Sequence, residues 1–285
     1  MRFPLVLVFS SCLAFAQEPA AAPAPDKVVS GAYGIDFTTH YFFRGILQEN
    51  QGIIGQPWIE LGYGVYDGDA DALHDVSFTF GLWNSLHDNG PTGGTGGIWY
   101  ENDFYAGFSG MLGERLSIGT TYTSYYSPNA TFTPVEEIAF SFGLDDKGLM
   151  GESITSGLQP SVVVAIELDG QADGGAAGNL GVYAQLGIEP SFGIGQLGKL
   201  DITLALPVTI GLSLRDYYEV AGDDDFLGFL DIGVVASSAL PMPAGMGPWS
   251  ADLGLHFLSL GDNNETRNSG DAVEFVLSFG LSTSF

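Results

Sequence analysis

The chain has 285 residues, with 8 Lys and Arg against 34 Asp and Glu, giving a formal net charge of −26. That balance excludes an electrostatic attraction to nucleic-acid phosphates or to anionic membrane surfaces. Aromatic residues at 13% and 41 glycines exclude an acidic disordered chain, which is poor in aromatics.

The opening stretch MRFPLVLVFSSCLAFAQE places Arg2 before an apolar run and Ala14-Phe15-Ala16 as a small-x-small cleavage signal before Gln17. It predicts a secretory signal peptide over residues 1–16, because the run falls short of the ~20 residues that a spanning helix requires. Cys12, the only cysteine, lies inside it, so the exported chain would carry none. Residues 17–27 read as a Pro/Ala-rich tether, and residues 28–285 as one β-domain.

From Val28 onward, segments alternating apolar with small or polar residues are separated by Gly, Asp, Asn and Pro clusters. About twelve strands are predicted, with ten to fourteen compatible with the pattern. They run Val28 to His40, Gln56 to Tyr66, Asp75 to His87, Trp99 to Met111, Arg115 to Tyr126 and Val135 to Leu144. Gln159 to Asp169, Leu180 to Phe192, Leu200 to Arg215, Phe226 to Ala239, Trp249 to Leu260 and Ala272 to Phe285 complete the series. Pro207 predicts a bend or bulge inside the ninth.

The two faces of these strands decide the fold class. One face of the ninth carries Ile202, Leu204, Leu206, Val208, Ile210, Leu212 and Leu214; the other carries Asp201, Thr203, Ala205, Pro207, Thr209, Gly211 and Ser213. A soluble exterior mixes Lys with Glu, whereas a lipid-facing belt needs only apolar residues and a lumen accepts small polar ones. The pattern therefore predicts an all-β protein, a transmembrane antiparallel up-and-down β-barrel, rather than a secreted sandwich. Connections alternate between compact ones (GMLGERL, GIGQLGKL, PMPAGMGP) and long polar ones (LHDNGPTGGTGG, DGQADGGAAGN, EVAGDDDF, LGDNNETRNSGD), as in bacterial outer-membrane barrels. Trp249, Phe192 and Phe285 fall at one expected interface, and Tyr41, Tyr126, Tyr217 and Tyr218 at the other. The last strand ends on Phe285 because it would close the barrel against the first, and such a terminal aromatic resembles the signal read by the outer-membrane assembly machinery.

Thr39, Tyr41, Phe43, Arg44 and Gly45, followed by Gln56-Pro57 and Trp83-Asn84-Ser85, resemble the TorF-type family of outer-membrane proteins. The resemblance covers about the first three strands. It implies an outer-membrane β-barrel with a porin role and carries no catalytic residues.

If apolar residues face lipid, parity turns Asp36, Glu60, Glu101, Asp103, Glu137, Glu167, Glu189, Asp201, Asp231, Asp252 and Glu274 inward, with Arg44, Arg115 and Arg215 as the few inward bases. Unpaired carboxylates require water, so a wet lumen is expected, with Gly34, Gly62, Gly81, Gly107, Gly143 and Gly187 leaving room for it. An acid-lined passage concentrates cations, so small cations or solutes are the expected cargo and membrane lipid the surrounding partner. The competing reading is a plugged, non-conducting barrel that displays its acidic loops. No cofactor is expected beyond loop-bound calcium, for which Asp223, Asp224, Asp225, Asp262, Asn263, Asn264 and Glu265 offer oxygen donors without EF-hand spacing. An enzyme is not expected, since His256 and Ser259 stand three apart and so on opposite strand faces. Oligomeric state has no signature in the sequence.

Overall fold

A computed structural model describes residues 29–69, 72–89, 97–149, 156–174, 179–243 and 245–285. The predicted signal peptide with Cys12 and the tether lie outside the described residues.

The strands are β1 (Val29–Thr38), β2 (Tyr41–Phe43), β3 (Ile46–Glu49), β4 (Ile54–Tyr66), β5 (Leu73–His87) and β6 (Trp99–Leu112). They continue as β7 (Leu116–Tyr126), β8 (Val135–Leu144), β9 (Ser161–Asp169), β10 (Val182–Ile188), β11 (Ser191–Leu197) and β12 (Leu200–Ala205). The rest are β13 (Val208–Arg215), β14 (Glu219–Val220), β15 (Asp223–Asp224), β16 (Leu227–Ala239), β17 (Trp249–Leu260) and β18 (Val273–Ser284), with one short helix, α1 (Asp262–Arg267).

Twelve walls close into an antiparallel barrel, because β10 with β11 forms one wall and β12 with β13 another. The second break falls at Leu206-Pro207, where proline has no N–H for the ladder. The ring runs β1, β4, β5, β6, β7, β8, β9, β10, β13, β16, β17, β18 and returns to β1. First and last strands pair from Ala32↔Ser284 to Thr38↔Ser278, and Gly31 and Phe285 exchange two backbone hydrogen bonds of 2.9 and 3.1 Å. The ring is closed by this pairing, and β11, which pairs only with β12, is the one strand at the end of the sheet order outside it.

Period two sorts the side chains. On β18, Phe275, Leu277 and Phe279 are exposed outward while Val276, Ser278 and Gly280 are buried inward. The same belt includes Tyr33, Phe37, Ile59, Phe80, Phe104, Phe108, Phe140, Ile232 and Leu253. An apolar girdle of that extent suits hydrocarbon and not water, so the walls are membrane-spanning.

Both described chain ends lie at one rim, termed the terminus end. Trp249 meets Tyr33 edge-on there at 5.9 Å, and the Phe285 ring lies over Gly31. The opposite, loop end receives the chain after β1, β5, β7, β9, β13 and β17. One expectation is corrected at this end. Tyr41, Tyr217 and Tyr218 do not form an interfacial girdle but are 2%, 1% and 0% exposed inside the molecule.

Candidate functional site

The alternation stops at Thr39-His40, and the chain turns into the barrel instead of continuing the wall. Tyr41, Phe42 and Phe43 follow in succession, all buried, a run whose two faces cannot both point away from water unless the strand lies inside. β2 and β3 form a hairpin whose tip is Arg44-Gly45, with φ of 49° and 82°. Positive φ at both central residues is the geometry of a tight hairpin turn, and glycine adopts it without steric cost.

This hairpin reaches walls on every side. The Tyr41 ring packs 5.5 Å from Trp83 of β5 and edge-on at 6.2 Å from Tyr100 of β6, and Phe43 lies 5.2 Å from Tyr125 of β7. Ile54, Tyr183, Phe229, Leu258 and Val276 complete the same buried cluster from β4, β10, β16, β17 and β18. The hairpin is therefore a plug across the loop-end half of the lumen. From above, Tyr217 and Tyr218 of the connection after β13 descend onto it, and the Tyr218 hydroxyl donates to the Arg44 carbonyl at 2.9 Å.

Arg44 is the polar centre. Its two terminal nitrogens donate to both Glu137 oxygens at 2.6 and 2.7 Å, and one also meets the Tyr217 hydroxyl at 2.7 Å. The guanidinium stands 4.2 Å from the Tyr183 ring centroid. Burial works against its charge, but Glu137 above all, then Tyr217 and Tyr125, hold it protonated well above its ordinary range. A fork of this kind fixes geometry as well as charge.

The inward acids divide at the plug. Glu101 accepts from the Tyr41 hydroxyl at 2.7 Å, Glu167 accepts the Ala172 and Gly181 amides at 2.7 Å each, and Asp231 lies 2.8 Å from His256 Nδ1. Glu274 is held by Asn268 at 2.9 Å, with His40 at 4.0 Å. Asp103 is 1% exposed, with Glu101 as its side-chain hydrogen-bond neighbour and Glu137 also acting on it. Around the plug, then, the interior is packed with side chains.

On the terminus side the walls are less crowded. Asp36, Glu60, Glu189 and Asp252 are half-buried, and His256 is the basic group that acts on Glu189. Glu60 accepts from the Tyr105 hydroxyl at 3.2 Å.

Three inward assignments are also corrected. Arg115 sits in the β6–β7 turn, exposed, donating to the Asp145 and Lys147 carbonyls. Arg215 is exposed at the rim and donates to the Leu180 carbonyl. Asp201 has lumen parity but lies toward the tip of the β11–β12 hairpin, which extends past the neighbouring strands, and it is exposed and bonded to Gln196. Parity sets the face; strand length and register decide whether a residue lies within the barrel.

The glycines likewise do not simply leave space. The Tyr105 ring occupies the position of a Gly81 side chain, Trp58 that of Gly34, Thr121 that of Gly107 and Ser117 that of Gly143. Each glycine lets a larger neighbour cross it.

The acidic loops serve themselves. Asp224 accepts from Ser213, Asp216 and Tyr218, and Asp225 accepts from the Leu227 and Asn263 amides. Asp223 gives its carbonyl to Asn263, and the Asn264 amide group donates to the Gly228 carbonyl. Asp262 opens α1, whose first turn also holds Glu265. Among the described residues no three His, Cys, Asp or Glu side chains are grouped to hold a metal.

The residues that carry the TorF-type resemblance converge on the plug. Tyr41, Phe43, Arg44 and Gly45 build the hairpin, Trp83 packs against it, and Ser85 meets both Gln56 and His87. Tyr217, Tyr218 and His256 are the site residues that sequence reasoning missed. The adjacent Tyr217-Tyr218 is, like Tyr41-Phe42-Phe43, an aromatic run that breaks alternation, which is the one signal available.

No family model matches the chain, and no curated protein matches it. Solved structures similar to it include an outer-membrane channel from Pseudomonas putida F1, at 12% identity and a TM-score of 0.44, covering 90% of this chain and 94% of that one. A bacterial polysaccharide outer-membrane secretin is 9% identical with a TM-score of 0.44, covering 90% and 96%. The translocator domain of the autotransporter NalP from Neisseria meningitidis is 11% identical with a TM-score of 0.40, covering 93% and 90%.

Proposed function

We propose that the protein is a bacterial outer-membrane channel, cation-preferring, whose passage the β2–β3 hairpin closes and whose opening requires that hairpin to move. The observation that carries this reading is the distribution of charge. Asp36, Glu60, Glu189 and Asp252 line the terminus side, and Arg44, already committed to Glu137, is the one buried Lys or Arg among the described residues. Rings of carboxylates concentrate cations and repel anions. The TorF-type resemblance supports the same membrane.

Reversal potential under a potassium chloride gradient tests it. A shift toward the potassium potential, reduced by Glu60→Gln with Asp252→Asn, supports the reading; anion preference removes it. The packed plug favours a second reading, a barrel that never conducts and acts through its loops. Complete silence under every condition that leaves the barrel folded would favour that one.

A further inference from the structure

Arg44, at the tip of the plug, is held from above as well as from the wall. The connection between β13 and β16, residues 216–226, crosses the loop end as a strap whose exposed outer part is the β14–β15 hairpin. Its inner part is Tyr217-Tyr218. The Tyr217 hydroxyl accepts from the Arg44 guanidinium at 2.7 Å, and the Tyr218 hydroxyl donates to the Arg44 carbonyl at 2.9 Å. Both stems of the plug join β1 and β4 at the loop end, so a plug that swings out passes through the space these two buried rings fill.

The strap is fastened in turn by its neighbours. From α1, the Asn263 side-chain amide donates to the carbonyls of Tyr218 and Asp223 at 2.6 and 2.8 Å, and so ties the two sides of the β14–β15 hairpin together. Arg267, one turn further along α1, donates to the Glu219 carbonyl and meets the Asp173 carboxylate at 3.3 Å. From the β9–β10 connection, Asp173 accepts the Glu219 amide at 2.7 Å. The strap bends at Asp216 and at Ala221-Gly222, where φ is 47°, 54° and 90°. A non-glycine residue stays in that region only while its surroundings hold it there.

We propose that this strap is an autoinhibitory clasp with Asn263 as its latch: the β2–β3 hairpin is released from the loop end, when α1 lets go of the strap and the two tyrosines lift away from Arg44. The inference rests on the reading of a hairpin that moves, and adds what governs the movement. The two layers differ in what holds them. The latch is made of side-chain to backbone hydrogen bonds at partly exposed positions, where water readily takes over either partner. The Arg44–Glu137 fork beneath is a buried charge pair that cannot be parted without stranding both charges. Segments with exposed hydrogen bonds and few buried contacts open first, so the strap gives before the plug.

Thiol labelling of the folded barrel in detergent tests this without current. Val276→Cys puts a thiol in the buried cluster that packs around the plug, at a position 0% exposed, and the predicted exported chain has no other cysteine. Its rate of reaction with a water-soluble maleimide reads how often the hairpin leaves its seat. Adding Asn263→Ala, which removes both latch bonds, is expected to raise that rate about tenfold. Arg267→Gln should raise it as well, whereas Thr266→Ala, at an exposed position of the same helix, should leave it unchanged. Each variant is first shown to be folded by heat-modifiable migration. Unchanged labelling in both Asn263→Ala and Arg267→Gln overturns the clasp. So does an equal rise with Thr266→Ala, which would mean that any loosening of α1 has the same effect. A barrel whose labelling answers to the latch but which carries no current keeps the clasp and loses the channel, and one that conducts with labelling indifferent to the latch does the reverse.

Discussion

Arg44 and Glu137, 93 residues apart in the chain, meet inside the barrel through two hydrogen bonds of 2.6 and 2.7 Å, with side chains 4% and 3% exposed. One belongs to the inserted hairpin and the other to the β8 wall, so this fork ties the plug to the barrel. Removing one partner strands the other's charge in a buried site, which costs about 3–5 kcal/mol, far more than an exposed pair. Arg44→Ala and Glu137→Gln should therefore each lower the denaturant midpoint clearly. The pair Arg44→Met with Glu137→Leu should lose less than either single change, because no lone charge remains; a double-mutant cycle by guanidinium unfolding in detergent checks this.

The Tyr218 hydroxyl bonds the Arg44 carbonyl from above. Tyr218→Phe keeps the ring and loses about 1 kcal/mol. The same unfolding titration should place it well below the cost of Arg44→Ala, and equal costs would show that the hydroxyl, not the fork, secures the hairpin.

Gly228 is crossed by the Tyr218 ring, whose Cζ lies 2.0 Å from the position of an added side-chain carbon. Gly228→Ala must push the ring off the hairpin, at about 1–3 kcal/mol by overpacking. Loss of tyrosine near-ultraviolet dichroism with the barrel's far-ultraviolet signal intact is the expected signature.

The outward belt gives a prediction independent of the plug. Leu255 on β17 is 50% exposed on the lipid side, and an arginine there should cost about 2–4 kcal/mol if the belt lies in hydrocarbon. Ser282→Asp on the inward face of β18 should cost little. Folding titrations into lipid vesicles distinguish the two, and equal costs would contradict the assignment of faces.

Phe285 closes the ladder with Gly31, two backbone hydrogen bonds at the last register position. Deleting it should cost on the order of 1–2 kcal/mol in vitro. An unfolding titration of the shortened chain beside the wild type checks this.

The sequence made the walls legible for a physical reason. Lipid on one side and a polar interior on the other impose strict alternation, and each of the twelve expected segments corresponds to a wall, including the break at Pro207. The plug was not legible. Tyr41, Tyr217 and Tyr218 have the composition of an interfacial girdle, and aromatic rings at a headgroup and in a packed core read alike in a sequence. What sends them inward is the Arg44-Gly45 turn together with Glu137, a contact that no local spacing records. The glycines were misread for a related reason. Whether Gly81 leaves a void or a seat for Tyr105 depends on cross-strand register, Gly81↔Tyr105, and not on Gly81 itself. Similarly, Arg115 and Asp201 have inward parity, but a turn and a projecting hairpin carry them out of the lumen.

In the proposed channel the passage runs past the β2–β3 hairpin. Cysteines in place of Phe43 on the hairpin and Tyr125 on the β7 wall, whose rings lie 5.2 Å apart, can be joined by a short reducible crosslinker. The predicted exported chain has no other cysteine to compete. In a planar bilayer the uncrosslinked protein should carry cation-selective current, the crosslinked protein should be silent, and reduction should restore the current. A crosslinked barrel that conducts as well as the reduced one would contradict the account.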